Sequence, residues 1–251
     1  MLHSFTFNGR DSREFGLYIT KKQSYDKPSR DMSFQAVPGR NGDIILDNGG
    51  YSNLDVTLGL RLFVKQIAPE WGNHDFAEAY RKIVDWLMVE PNYYEYTDTY
   101  DPEYYRLGCI KSGIKVTQKR YDVADLSLSI SFKPYKYRMY SESVELTSQG
   151  TIVNYETAES LPLMRIYTAL TYDANTETHH DFAVGSKTYR VDNINEYVDI
   201  DSELMEVFKG TTPMNNNYKN DTFPVLAVGS NLIAPIQNVS KIVIYSRWRS
   251  L

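Results

Sequence analysis

Several clusters in this sequence carry side chains able to do chemistry. Asp199, Asp201 and Glu203 alternate, and at strand spacing they share one face, where carboxylates can hold a hard cation. Calcium loops add glycine turns and carbonyl donors that are missing here, so a solvated acidic face is the expectation. His179, His180 and Asp181 are ligand types for zinc-class metals. Adjacent strand residues point to opposite faces, however, and no further histidine is near in sequence, so this segment is expected to be a loop.

Tyr93, Tyr94, Tyr96, Tyr100, Tyr104 and Tyr105 interleave with Glu95, Asp98, Asp101 and Glu103. Such a segment can stack against a sugar, but aromatic residues with a polar rim also make protein contacts, and a packed interface loop is favoured. Cys109 lies in a run, Leu107 to Thr117, that reads as a strand. Without a base placed beside it, it is expected to be a small buried residue. The nucleophile elbow, the phosphate-cradling Gly-Lys loop and the His-Glu-x-x-His helix are all missing. No catalytic residue, metal or cofactor is therefore expected. Paired carboxylates of the glycosidase kind stay open, because spacing does not reveal them.

Composition narrows the class. The chain has 251 residues, 42% of them hydrophobic and 24% charged, in the range of folded proteins with a packed core. A net charge of −5 does not suit a protein that grips a phosphate backbone. The 21 tyrosines against 10 phenylalanines favour strands and contact surfaces. One cysteine requires no oxidising compartment. Met1 to Phe7 lacks the pattern of a signal peptide, and no apolar run is long enough to span a bilayer, so neither export nor membrane insertion is expected.

The elements that must position these residues are mostly strands. Val56, Leu58, Leu60, Leu62 and Val64 alternate with Asp55, Thr57, Gly59, Arg61 and Phe63; Leu126, Leu128, Ile130 and Phe132 alternate with serines. Both predict half-buried antiparallel strands. Between them Phe76, Tyr80, Ile83, Val84 and Leu87 form a helical stripe, predicted over about 75–89, with Asp75 and Glu78 as a capping pair and Pro91 beyond its end. The strand pattern stops near Pro134 to Ser143 and restarts, which predicts domains over 1–139 and 140–251. Later strands are expected at Leu161 to Leu170, Phe182 to Val191, Tyr197 to Phe208 and Lys241 to Trp248, with a loop at Asn215 to Asn220, which reads as a β-sandwich. A hairpin is predicted over about 30–47. Met32 and Phe34 alternate on its first strand, Pro38, Gly39, Arg40, Asn41, Gly42 and Asp43 form its tip, and Asn41-Gly42 predicts a type I′ turn.

Phe5-Thr6-Phe7-Asn8-Gly9, Ser12, Phe15-Gly16-Leu17 and the Pro38 to Asp43 string resemble the opening half of the distal tail (Dit) family of siphophages. Trp86-Leu87 and Phe132 to Tyr137 follow in the same order. Leu161-Pro162-Leu163, Asp199 to Glu203, Phe223 to Leu226, Gly229 to Asn231 and the Ile242 to Arg249 run are similar to the family's second half.

This resemblance implies a mainly β (α+β) protein of two domains. The first is a β-sandwich-like, ring-forming domain with one helix and the hairpin arm; the second is a galectin-like β-sandwich. It implies a homohexameric ring at the tail tip of a virion assembled in the host cytoplasm, without catalysis. The ring joins the tail tube protein to the tail-associated hub protein and carries receptor-binding or other baseplate proteins. Phage DNA passes through it without specific binding, and like charge discourages sticking. By this resemblance the arm residues Met32, Phe34 and Pro38 to Asp43 lie on the neighbouring subunit. The alternatives are a module binding host cell-wall glycans and, less favoured, a cell-wall glycoside hydrolase.

Overall fold

The computed structural model describes residues 2–21, 27–64, 76–120, 122–171, 173 and 175–251. The chain separates into two compact units, Met1–Met139 with Leu251, and Tyr140–Ser250. It is mainly β with a single α-helix among the described residues, as the sequence patterns predict. No helix among those residues is long and apolar enough to cross a membrane.

The first unit contains strands β1 (Phe5–Phe7), β2 (Arg10–Asp11), β3 (Leu17–Ile19), β4 (Arg30–Gln35), β5 (Ile44–Tyr51) and β6 (Leu54–Phe63). Helix α1 (Phe76–Leu87) and strands β7 (Tyr94–Asp98), β8 (Tyr104–Ile110), β9 (Lys115–Arg120) and β10 (Val123–Arg138) follow. Its main sheet runs β2-β1-β7-β8-β10-β6-β3, with β9 also on β10. The two alternating runs are the centre of that sheet. Leu58 lies opposite Leu128, Leu60 opposite Leu126, and Val56 opposite Ile130. All six side chains are buried, so one face of β6 and β10 is a continuous apolar surface. The other face is polar: Arg61 grips Asp125 and Thr57 bonds Ser129.

Although β1 and β3 are far apart in the sheet order, Ile19 N–H donates to His3 C=O at 2.8 Å just ahead of β1. The sheet therefore curls until its ends meet, and closing a sheet in this way protects edge strands. Helix α1 buries Ala79, Ile83, Trp86 and Leu87 in the same core. Trp86 stacks on Phe15 with centroids 4.4 Å apart, and its indole N–H donates to Phe7 C=O at 2.9 Å. A buried indole needs that acceptor, so Trp86 both fills and orients the core. The helical stripe is centred on Ile83 and Trp86, with Val84 only partly buried. The expected cap at Asp75 lies outside the described residues.

Strand β10 runs through Pro134 and ends at Arg138, inside the Pro134 to Ser143 stretch where the strand pattern is expected to stop, with a register shift against β8 between Phe132 and Lys136. Proline has no N–H to give the ladder and is accommodated where the pairing is interrupted.

The second unit contains β11 (Val144–Leu146), β12 (Gly150–Asn154), β13 (Leu163–Thr168), β14 (His179–Val184), β15 (Lys187–Asp192) and β16 (Tyr197–Asp201). Strands β17 (Glu206–Lys209), β18 (Thr212–Pro213), β19 (Gly229–Gln237), β20 (Val239–Tyr245) and β21 (Arg249–Ser250) follow. Two sheets, β11-β20-β13-β16-β17-β18 and β12-β19-β14-β15, share one core that includes Met164, Ile166, Phe182, Val191, Ile200, Ile233 and Ile244.

Two predicted single strands are hairpins. Phe182 to Val191 reverses at Gly185, whose φ is 61°. Tyr197 to Phe208 reverses after Asp201, with Met205 at φ 55°. The apolar residues on both sides of each turn hid it from periodicity. The 150–154 and 229–237 strands were not anticipated. The Asn-rich loop is pinned rather than free: Asn215 accepts from Val207 N–H at 2.6 Å, and Asn217 donates to Asp192 C=O at 2.9 Å.

Candidate assembly surface

The β4–β5 hairpin is a separate two-stranded sheet. Phe34 lies opposite Ile45 and Ser33 opposite Leu46, so Phe34, Ile45 and Met32 share one side while Leu46 and Ile44 are on the other. All five are exposed, Phe34 at 62% and Ile45 at 61%. The hairpin thus has apolar side chains on both faces and covers neither. Its root is held by Arg30, which meets Asp47 and Tyr51 at 3.4 Å each, by Asn48 donating to Asp31, and by Ser52 N–H donating to Ser29 C=O. An isolated two-stranded hairpin is marginal in water.

Its tip departs from expectation. Arg40 N–H donates to Val37 C=O at 3.1 Å, with Pro38 and Gly39 between them and Gly39 at φ 80°. Proline then glycine at these places is the pattern of a type II turn. Asn41 keeps a negative φ while Gly42 is at 82°, so a type I′ turn, which needs both positive, does not form. Gln35 and Ile44 are the last paired residues, and 36–43 make a longer loop than a two-residue reversal. Pro38, Gly39, Arg40, Asn41, Gly42 and Asp43 are all exposed. Ile44, Ile45 and Leu46 belong to this surface although sequence reasoning did not single them out. Their signal was three consecutive apolar residues with no alternation.

The other sequence candidates have structural fates. Asp199 and Asp201 are buried, not solvated. Arg165 holds Asp199 through two bonds of 2.7 and 2.9 Å, and Arg247 holds Asp201 at 2.7 and 2.8 Å. Burial pushes the Asp201 carboxyl up, but Arg247 and the N–H groups of Leu204 and Glu203 outweigh it and the net direction is down. The pair raises Arg165 above its ordinary range, against the opposing effect of burial. His179 and His180 lie in strand β14, not a loop, and face opposite ways: His180 is fully buried and His179 half-buried. Asp181 is gripped by Arg190 at 2.8 and 2.9 Å, which holds its carboxyl below the usual range.

The tyrosine-rich segment is a strand pair, β7 and β8, rather than a loop. Tyr96 is buried and donates to Asp98, whose other oxygen accepts from the N–H groups of Tyr100 and Asp101. That carboxylate closes a turn. Cys109 is a partly buried free thiol in β8. A glycosidase acid must be held protonated near neutrality, whereas Asp181 and Asp201 are driven the other way.

No family model matches this chain, and no curated protein matches it. Among solved structures it is similar to the SPP1 Dit (gp 19.1) protein, described as a paradigm of the hub adsorption apparatus in phages infecting Gram-positive bacteria. The TM-score is 0.71 at 14% sequence identity, covering 97% of this chain and 98% of that one. At this identity the likeness is one of fold: along nearly its whole length, the chain folds like a phage Dit protein.

Proposed function

We propose that this chain is a structural subunit of a phage adsorption apparatus, six copies of which close into a ring at the tail tip. In this reading the ring joins the tail tube protein to the tail-associated hub protein and lets DNA pass. The second unit is a galectin-like platform for receptor-binding or other baseplate proteins. The units act as two domains, 1–139 and 140–251. The observation that carries the proposal is the exposed arm on a Dit-like fold: both faces of β4–β5 leave apolar side chains in water, and a neighbouring subunit is what a head-to-tail ring supplies to cover them. Met32, Phe34 and Pro38 to Asp43 are its contact residues, joined by Ile44, Ile45 and Leu46.

Light scattering coupled to size exclusion tests the ring. A mass six times 29.0 kDa, or a multiple of that, is expected; a stable dimer or trimer overturns it. Replacing Val37 to Ile44 by a short glycine linker should leave circular dichroism unchanged and weaken the ring in sedimentation velocity. An intact ring without the arm tip removes the arm from the interface.

A further inference from the structure

We infer that Glu177, His179 and Asp192 form a binding site for one first-row divalent transition-metal ion of the zinc class. Their ligand atoms all lie within 4.8 Å of one another, and the backbone explains why. His179 and Asp192 are direct partners in the β14–β15 register, so their side chains leave the same face, and Glu177 precedes His179 by two residues. The adjacent His180 and Asp181, which proximity in sequence offers as companions, do not take part: His180 bonds Thr168 and Asp181 is held by Arg190.

Asp192 supplies a second, independent argument. Asp181, Asp199 and Asp201 are buried, and each is met by a two-bonded arginine fork. Asp192 is equally buried, at 5% exposure. What meets its carboxylate, however, is one imidazole nitrogen of His179 at 2.8 Å and the Lys219 ammonium at 3.9 Å, beyond hydrogen-bond reach. A buried carboxylate that no cation hydrogen-bonds is less fully compensated than its three fork-held counterparts, and a divalent ion at this place supplies the missing contact.

The site is also open and stiff. Glu177 is exposed and His179 half-buried, so an ion can enter and both side chains can adjust to the roughly 2.0–2.2 Å that zinc needs. The backbone behind them is pinned: Asn238 donates to His179 C=O, Asn217 to Asp192 C=O, and Asn193 accepts from Thr178 N–H. One imidazole with two carboxylates suits zinc-class ions better than calcium, which takes oxygen alone. Three protein ligands leave a coordination position for water or for a partner's side chain.

The test is calorimetric titration of the full chain, stripped with chelator, using zinc alone and then cobalt(II) alone, whose visible spectrum reports the coordination. One ion per chain is expected. His179→Ala and Glu177→Gln, both on accessible side chains, should keep the circular dichroism and weaken binding by at least the roughly tenfold that even an outer-shell partner is worth. Lys219→Met removes the competing ammonium and should tighten binding. Absence of binding, binding that survives both ligand variants, or weaker binding in Lys219→Met overturns the assignment.

Discussion

The arm of the first unit and the interior of the second break the same rule in opposite directions. The arm leaves Met32, Phe34, Ile44, Ile45 and Leu46 in water, while the second unit takes Asp181, Asp192, Asp199 and Asp201 out of it. The second departure is largely resolved inside the chain, because three of those carboxylates meet an arginine fork. The arm's departure is not, since nothing in the described part of the first unit covers its faces. A misplaced group with an internal partner is part of the fold, and one without is an indication of something outside it.

The sharpest way to break this contrast is to remove an internal partner. Arg247→Ala strands the Asp201 carboxylate, and breaking a buried pair costs roughly 3–5 kcal/mol, with the low end expected because the guanidinium is partly exposed. Urea unfolding of the full chain should become biphasic, the second unit melting before the first. One cooperative transition would count against two separately folding domains. Arg247 itself sits at φ 49°, an uncommon conformation for a side chain of this size, and it is held there as Ser160 donates to its C=O at 2.7 Å.

Acid separates the two regions next. The folded-state pKa values of Asp181 and Asp201 lie below the ordinary carboxylate range, so the unfolded chain takes up protons first as pH falls. Their contribution is fully present above about pH 4 and is lost below it, toward the folded values. His180 is shifted in the same direction, principally by burial, against the raising effects of the nearby Asp192 and Asp181 carboxylates. Stability should therefore decline in a first step below about pH 6.5 and a second below about pH 4. Thermal melts across that range check both, and His180→Asn should abolish the first step alone.

Within the arm the folding effects are smaller. Gly39→Ala forces a side chain into the left-handed region at φ 80°, costing about 1 kcal/mol locally although the space around it is empty. Faster hydrogen exchange at Arg40, whose N–H closes the turn, reads that out; unchanged exchange would mean the turn does not depend on the glycine. The smallest folding effect is expected for Phe34→Ser with Ile45→Ser, within about 0.5 kcal/mol because both side chains are already exposed. The same variant should disperse the ring. If it lowers folding stability instead, the arm is packed within its own chain and the contrast between the regions collapses.

Much of the first unit was legible in the sequence. The buried set of β6 and β10 follows from strict alternation, and the helix from a stripe at three- and four-residue spacing. The hairpin turns at Gly185 and after Asp201 were not legible, because apolar residues continue through them and length alone did not divide the runs. At the arm tip the Asn-Gly pair pointed to one turn while Pro-Gly three residues earlier makes another. Both are good turn formers, and the length of the loop decides between them.

By itself the sequence determined the class of the protein, mainly β with one helix among the described residues, and the apolar stripe of the arm's first strand, because periodicity is a local property of which side of a strand or helix a residue occupies. The tertiary structure decided the chemistry of the charged residues. Asp201 meets Arg247 across 46 positions and Asp199 meets Arg165 across 34, while Asp192 meets a histidine at 2.8 Å and a lysine at 3.9 Å. Period and spacing report the face a side chain lies on, but the cost of a buried charge depends on what touches it, and only the tertiary fold brings those groups together, by strand pairing for Asp199 and Asp181 and by a loop residue for Asp201.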